Sequence, residues 1–195
     1  DASEISPAQL AALLPLLPGG GLSVFLVRAL WAHLQADGAP AAGEFLGPLA
    51  GAVTARALLD FFGAFLAGAD GHARLLAALT GGRHKLRRAD LLPLLEEVLL
   101  THPGLAFLEG ARDFQERYVA TVIHRIFYEL DGAGGSGVSV GAGRLRRCGS
   151  LLAALHSLES GEAREDVNAE RSFFSYEHFY VIYCAFCDLD DDGDF

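Results

Sequence analysis

The sequence contains few or no residues of several types. Its 195 residues include no methionine, one tryptophan, three cysteines and a single lysine, Lys85. Three cysteines do not make a disulfide framework in a chain of this length, so we expect a reducing compartment, the cytoplasm or the nucleus. No initiator methionine and no basic segment precede the apolar start, so we expect a fragment rather than a secreted precursor.

Long hydrophobic runs and an excess of positive charge are also missing. Pro15, Pro18 and Arg28 interrupt the first apolar stretch, and no segment reaches the roughly 18 uninterrupted apolar residues that a membrane span needs. Fifteen basic residues face 25 acidic ones, which gives a net charge of −10. This balance argues against nucleic-acid binding, because a binder of phosphate backbones needs the opposite sign.

The residues that are abundant favour a helical protein. Hydrophobic residues make up 51% of the chain and the mean hydropathy is +0.29, so a folded core is expected. Leucine and alanine favour helices, and the 23 glycines punctuate them. We predict an all-α fold with helices over 22–35, 91–100, 113–130, 143–159 and 172–189, and a polar linker over 160–170.

Several local signals refine this prediction. Ser6 followed by Pro7 is typical of a helix start. Asp90 is expected to be the N-cap of the helix predicted at 91–100. Phe61, Phe62 and Phe65 are predicted core residues. The basic run at 83–88 is interpreted as a solvated loop with no chemical role.

The last residues form the most informative pattern in the chain. Asp190, Asp192 and Asp194 alternate directly after an apolar helix, as ligands at positions 1, 3 and 5 of an EF-hand loop do, and Ca²⁺ prefers such oxygen ligands. A second register would use Asp188, Asp190 and Asp192. We prefer the first register because Phe186 and Leu189 continue the apolar stripe of the helix up to the loop.

Neither register reaches the acidic residue of loop position 12, so weak Ca²⁺ binding is expected. The other interpretation of these residues is a solvated acidic tail.

A partner hand is expected at 131–142. Asp131 fits position 1, but Ala133, Gly135 and Ala142 would stand at positions 3, 5 and 12, which leaves too little negative charge for an ion. We therefore predict a metal-free structural hand, with Val138 or Val140 pairing with the terminal loop.

Signals for catalysis are weak. Cys184 and Cys187 invite a zinc or redox interpretation, but their spacing is that of one helix face and no second ligand pair follows. His102, His124 and His178 are interpreted as packing or capping residues. Because no hydrolase, phosphate-loop or dinucleotide motif is present, we do not expect an enzyme.

Four segments resemble one known family. Residues 90–98 (DLLPLLEEV), 101–108 (THPGLAFL), 117–128 (RYVATVIHRIFY) and 174–194 (FSYEHFYVIYCAFCDLDDDGD) are similar to successive segments of the B-double-prime family of protein phosphatase 2A regulatory subunits. Cys187 departs from that pattern, since the family has a bulky aromatic residue there.

The resemblance implies a non-catalytic subunit that binds the HEAT-repeat scaffold subunit and the catalytic subunit and selects phosphoprotein substrates. It also implies that Asp190, Asp192 and Asp194 are calcium ligands. The expected organisation is an extension at 1–21, a helical domain at 22–110 and an EF-hand-like pair at 111–195, the second hand being truncated in its loop. A stand-alone EF-hand calcium sensor or buffer is the alternative, and a zinc-thiol enzyme is the third hypothesis.

Overall fold

Helices dominate the computed structural model, which describes residues 3–35, 44–131 and 139–189 and confirms the all-α class. A π-helical turn, Phe62–Leu66, and short 3₁₀ turns join several of the helices. The α-helices are α1 Pro7–Leu13, α2 Val27–Leu34, α3 Ala55–Phe61, α4 Gly71–Thr80, α5 Leu92–Thr101, α6 Arg112–Asp131, α7 Ala142–Cys148, α8 Ser150–Leu158 and α9 Tyr176–Cys187.

Two small antiparallel sheets connect distant parts of the chain. Strand β1 (Glu4–Ile5) pairs with β2 (Val53–Thr54), and β3 (Lys85–Leu86) pairs with β4 (Val140–Gly141). Each of these strands leads into a helix or helical turn within two residues. The chain therefore repeats a unit in which a loop with a short strand precedes a helix.

Polar caps start several of these helices. Ser6 caps α1, where its hydroxyl accepts from the Gln9 amide at 3.2 Å and the Gln9 side chain accepts from the Ser6 amide at 2.8 Å. This reciprocal pair confirms the predicted start. Asp90 differs from its prediction, because its carboxylate accepts from the Arg87 amide and caps the 3₁₀ turn Arg88–Leu91 that precedes α5.

The segment after α6 differs from its sequence prediction in two ways. The helix predicted at 143–159 is broken at Gly149, whose φ of +64° is left-handed and lets α7 turn into α8. The predicted linker at 160–170 is folded against the core, since Val167 is fully buried and Glu170 is only 4% exposed.

One continuous hydrophobic core joins the helices. Helix α6 contributes the stripe predicted from its periodicity, in which Tyr118, Val122 and Ile126 are fully buried. Of the three predicted core phenylalanines, Phe61 is buried and Phe62 is partly buried, whereas Phe65 is 41% exposed. None of the described helices is long and apolar enough to cross a lipid bilayer.

Candidate functional site

The predicted calcium ligands lie at the end of the chain. Asp190, Asp192 and Asp194 are outside the described residues, so their arrangement stays a prediction. The helix that leads to them is present: α9 ends at Cys187, and the Asp188 amide donates to the Cys184 carbonyl at 2.9 Å. Asp188, the first ligand of the alternative register, is solvent-exposed.

The described part of the chain offers no second metal cluster. Over 3–35, 44–131 and 139–189, no group of three or more His, Cys, Asp or Glu side chains could hold a metal ion. Cys184 and Cys187 are free, half-buried thiols. The hydrogen bond with Cys184 raises the pKa of Tyr180, and the hydrogen bond with Cys187 raises the pKa of Tyr183. Both thiols thus have phenol partners within the helix.

The loop predicted at 131–142 has an unexpected partner. Residues 132–138 are outside the described part, but Val140 pairs with Leu86, and Gly141 pairs with Lys85. The expectation that Val140 contacts the terminal loop is therefore wrong. Helix α4, the loop that follows it and α5 form one helix–loop–helix unit, and α6, its loop and α7 form the other.

Sequence reasoning missed the first of these two units because its loop is basic. The loop at 81–91 contains Arg83, Lys85 and two further arginines but only one carboxylate, that of Asp90. A signal was present: Gly81 and Gly82 follow a helical pattern, and Gly81 ends α4 in the left-handed conformation, with φ of +65°. The strand that follows buries Leu86 completely.

The side chain of Arg83 joins the two ends of this basic loop, a role that the metal ion has in a calcium-binding EF-hand loop. Arg83 Nε donates to the Thr80 carbonyl at 3.0 Å, and Arg83 Nη2 donates to the Asp90 carboxylate at 2.5 Å. Asp90 also accepts from the Arg87 amide at 2.7 Å. Calcium needs about six to eight oxygen ligands, so the donor set of this loop does not fit a calcium ion.

A second feature of the site is the attachment of α9 to α6 through aromatic rings. Phe179 is 1% exposed and meets Tyr118 edge-on, with ring centroids 5.6 Å apart. Tyr176 lies 5.4 Å from Phe179, and Tyr183 lies 5.2 Å from Phe114. Aromatic pairs in this geometry add to the stability that burial provides.

Polar groups fix the segment that enters α9. The Tyr118 hydroxyl donates to the Phe174 carbonyl at 2.6 Å, and burial raises the pKa of this tyrosine. Arg125 donates to the carbonyls of residues 171, 172 and 173 at 2.8–3.1 Å. Glu170 accepts from the amides of residues 172, 173 and 174. Burial lowers the pKa of Arg125, but with these acceptors and Glu170 nearby its charge is compensated.

Several apolar side chains of α9 remain solvent-exposed around the buried Phe179. Val181 is 68% exposed and Phe186 is 51% exposed, and Leu189 just beyond the helix is 82% exposed. Tyr180 and Ile182 are each 48% exposed. We call these five residues the open face of α9. Adjoining exposed apolar side chains of this kind are typical of a surface that binds another polypeptide.

One family model matches the middle of the chain. The family model described as an EF-hand domain matches residues 70–161. This range contains both helix–loop–helix units joined by β3 and β4. An EF-hand domain is in general a calcium-binding type of module, although the loop at 81–91 lacks the ligands.

The relatives that the chain resembles are regulatory subunits of one phosphatase. The chain is 49% identical over 109 residues to the probable B''epsilon regulatory subunit of protein phosphatase 2A from Arabidopsis thaliana, covering 56% of this chain and 20% of that protein. It is 49% identical over 109 residues to the delta form of the B'' regulatory subunits from Mus musculus, covering 56% of this chain and 21% of that protein. The chain thus spans about a fifth of the length of these relatives.

A solved structure agrees with these matches. A structure described as a PP2A PR70 holoenzyme is 40% identical in sequence and has a TM-score of 0.57, and the match covers 64% of this chain and 45% of that one. The resemblance to the B-double-prime regulatory subunits is therefore confirmed over somewhat more than half of the chain.

Proposed function

We propose that the chain is part of a non-catalytic regulatory subunit of protein phosphatase 2A, which binds the scaffold and catalytic subunits and directs the choice of phosphoprotein substrates. The observation that carries this proposal is the identity of 49% over 109 residues to relatives named as regulatory subunits. Because these relatives are named as regulators rather than phosphatases, the expectation of no enzymatic activity has support. We also propose that the protein acts in the cytoplasm or the nucleus.

The open face of α9 supports binding to another protein. Its five apolar side chains are 48–82% exposed. The helix is held by the contact between the Phe179 and Tyr118 rings, and the segment before it by the hydrogen bond from the Tyr118 hydroxyl. Binding of a partner would bury this surface and release water from it. The helix is already ordered, so little conformational entropy is lost on binding.

Calcium has a defined place in this proposal. Asp190, Asp192 and Asp194 would supply carboxylate oxygens to the ion next to the end of α9. The ion would supply charge neutralisation and fix the direction in which the chain leaves the helix. The described residues contribute the rigid support, since Asp188 continues the hydrogen bonding of α9.

The similarity to subunits of a phosphatase complex does not support the alternative of a stand-alone calcium sensor. No feature of the described residues supports the zinc-thiol enzyme. Substrate selection by tethering, rather than bond chemistry, is therefore the proposed activity.

Reconstitution tests this proposal directly. Purified scaffold and catalytic subunits are mixed with the tagged 195-residue chain, with calcium or with a chelator, and the retained proteins are measured. We expect both subunits to be retained, with more retained in calcium. A double variant, Val181→Glu with Phe186→Glu, should lose most of the binding because it places charges on the open face of α9.

A matched control uses another exposed aromatic residue. Tyr128 on α6 is 81% exposed, so Tyr128→Glu should leave binding unchanged. The proposed function would be rejected if the wild-type chain retained neither the scaffold subunit nor the catalytic subunit, both with calcium and with the chelator. Equal binding by the double variant would reject the role of α9.

A further inference from the structure

A cavity lies between the segment at 19–26, the first half of α4 and α8. Its volume is about 290 Å³, near the lower end of the volumes typical of small-ligand sites. The turn at 19–21, Ser23, the start of α4 at Gly71, Arg74 and His156 of α8 are among the residues that line it. None of these residues has a part in the function proposed above.

Arg74 is the unusual member of this lining. It is 1% exposed, and only its Nη1 has a hydrogen bond, donated to the Pro18 carbonyl at 2.7 Å. The Nε and Nη2 groups are buried and have no hydrogen-bond partner. Among the described residues no carboxylate forms an ion pair with Arg74, and its guanidinium carbon lies 6.0 Å from the centre of the Phe62 ring.

A buried guanidinium without an anion is energetically unfavourable. Burial lowers the pKa of Arg74, but an arginine keeps its proton in proteins, so the charge persists. Arg125 shows the usual solution, since its donors meet three carbonyl oxygens. Arg74 has one such oxygen, which leaves its Nε and Nη2 donors unsatisfied in a residue that lines the cavity.

The glycines of the neighbouring turn keep this cavity accessible. Gly19 and Gly20 have φ of +81° and +104°, a region that side chains disfavour. A Cβ atom at Gly19 would lie 3.0 Å from Arg74 Nη1, and the position of a Cβ atom at Gly20 faces open space. The turn therefore borders the cavity with backbone alone.

We infer that this cavity is a binding site for an oxyanion of phosphate size. The ligand would accept hydrogen bonds from Arg74 Nε and Nη2, which form the planar fork that suits two oxygens of a phosphate group. The nearest carboxylate along the chain, that of Asp70, accepts from Arg146 and from the Ala73 amide. Its charge is thus compensated at the start of α4.

Inorganic phosphate is the first probe. The 195-residue chain is titrated with it by calorimetry at constant ionic strength, with chloride as the comparison anion. We expect a dissociation constant of about 1 mM or tighter, because one or two charge-assisted hydrogen bonds replace unsatisfied donors. No detectable binding by the wild-type chain at about 10 mM phosphate would overturn the inference.

Arg74→Met retains an unbranched apolar side chain and removes the guanidinium with its charge. Phosphate binding should weaken at least about tenfold. Arg56→Met is the control, because Arg56 is 78% exposed in an ion pair elsewhere, and its phosphate affinity should match the wild type. Equal phosphate binding by Arg74→Met and the wild type would overturn the inference.

The melting temperature separates a binding role from a merely structural one. Without phosphate, Arg74→Met should melt at or above the wild-type temperature, because it removes an uncompensated buried charge. A melting temperature well below the wild type, with phosphate shifting both proteins equally, would contradict the site.

A second variant decides the matter if Arg74→Met does not fold. His156 is exposed at the cavity, so His156→Glu should fold, and the added negative charge should weaken phosphate binding several-fold. Unchanged affinity in this variant would count against the site.

The source of the phosphate group is tested with a pair of capped amino acids. Binding of capped phosphoserine, but not of capped serine, would support a site for a phosphorylated side chain. Binding of inorganic phosphate alone would support a site for the free ion. Binding of neither phosphate compound would overturn the inference.

Discussion

Helices α4 and α9 differ in burial: most of α4 is buried, whereas most of α9 is exposed or only partly buried. Every residue of α4 from Arg74 to Thr80 is buried, and the loop that follows is closed by Arg83 and Asp90. Only Phe179 of α9 is buried, and the segment that follows is rich in aspartate. The first unit is completed by the chain's own residues, whereas five apolar side chains at α9 are 48–82% exposed.

The largest expected effect comes from truncating equivalent apolar residues in the two helices. Leu75 of α4 is 1% exposed and Ile182 of α9 is 48% exposed. Leu75→Ala should lower the free energy of unfolding by about 2–5 kcal/mol, because it leaves a cavity. Ile182→Ala should change it by no more than about 0.5 kcal/mol. Urea unfolding measures both, and equal losses would contradict the contrast between the helices.

Removal of the Tyr118 hydroxyl of α6, which binds the segment that enters α9, should have an intermediate effect on the free energy of unfolding. Tyr118→Phe deletes the hydrogen bond to the Phe174 carbonyl and should cost about 1–3 kcal/mol, since a buried acceptor is left unsatisfied. Tyr128→Phe is the control because that ring is 81% exposed. If the two variants unfold at the same urea concentration, the hydroxyl does not hold α9 in place.

The ion pair that closes the basic loop should contribute less. A double-mutant cycle with Arg83→Met and Asp90→Asn should give a coupling energy of about 1 kcal/mol, because Asp90 is partly desolvated. The control pair, Arg56 and Asp60, is exposed on both sides and should give about 0.3–0.5 kcal/mol. A coupling energy at Arg83 and Asp90 below that of the control would mean that the loop needs no internal cation.

The smallest expected effect is a pH dependence at the end of α5. His102 Nε2 donates to the Ala163 carbonyl and Nδ1 accepts from the Gly104 amide, which is the bonding of a neutral ring. Burial lowers the pKa of His102. Its contribution to stability is therefore fully present above about pH 6.5, the ordinary value for histidine, and is lost as the pH falls from there through the lowered folded-state pKa.

Unfolding of the wild type and His102→Gln across this pH range measures that contribution. The variant should lose less stability on acidification than the wild type does. The exposed His156 provides the control, since His156→Gln should keep the wild-type profile. A His102→Gln profile parallel to the wild type would show that this ring does not couple folding to pH.

Local signals were readable in the sequence, and long-range pairings were not. The periodicity of α6 and the cap at Ser6 depend on neighbouring residues, and both predictions are confirmed. Strands β3 and β4 are two residues long and lie more than 50 positions apart, so no pattern indicated their pairing. The partner of the loop at 131–142 was therefore wrongly assigned.

The remaining differences between the sequence predictions and the structure concern the conformation of a glycine and the burial of an arginine. Gly149 interrupts an otherwise regular helical pattern, and only its left-handed conformation shows that the helix ends there. Arg74 lies among leucines and alanines in α4, where its sequence position reveals neither its burial nor its missing partner. The resemblance of segments within 90–194 to one family was the most informative sequence feature, because it depended on residue identity rather than on periodicity.

The most direct test of the contrast between α4 and α9 is a residue-resolved calcium titration followed by NMR. We predict that calcium shifts the signals of residues 188–195 and leaves the loop at 81–91 unchanged. Asp190→Asn with Asp192→Asn and Asp194→Asn should abolish these shifts. Calcium-dependent shifts centred on Arg83 and Asp90, and retained in the triple variant, would contradict the account. They would show that calcium binds in the loop at 81–91 and not at the aspartates that follow α9.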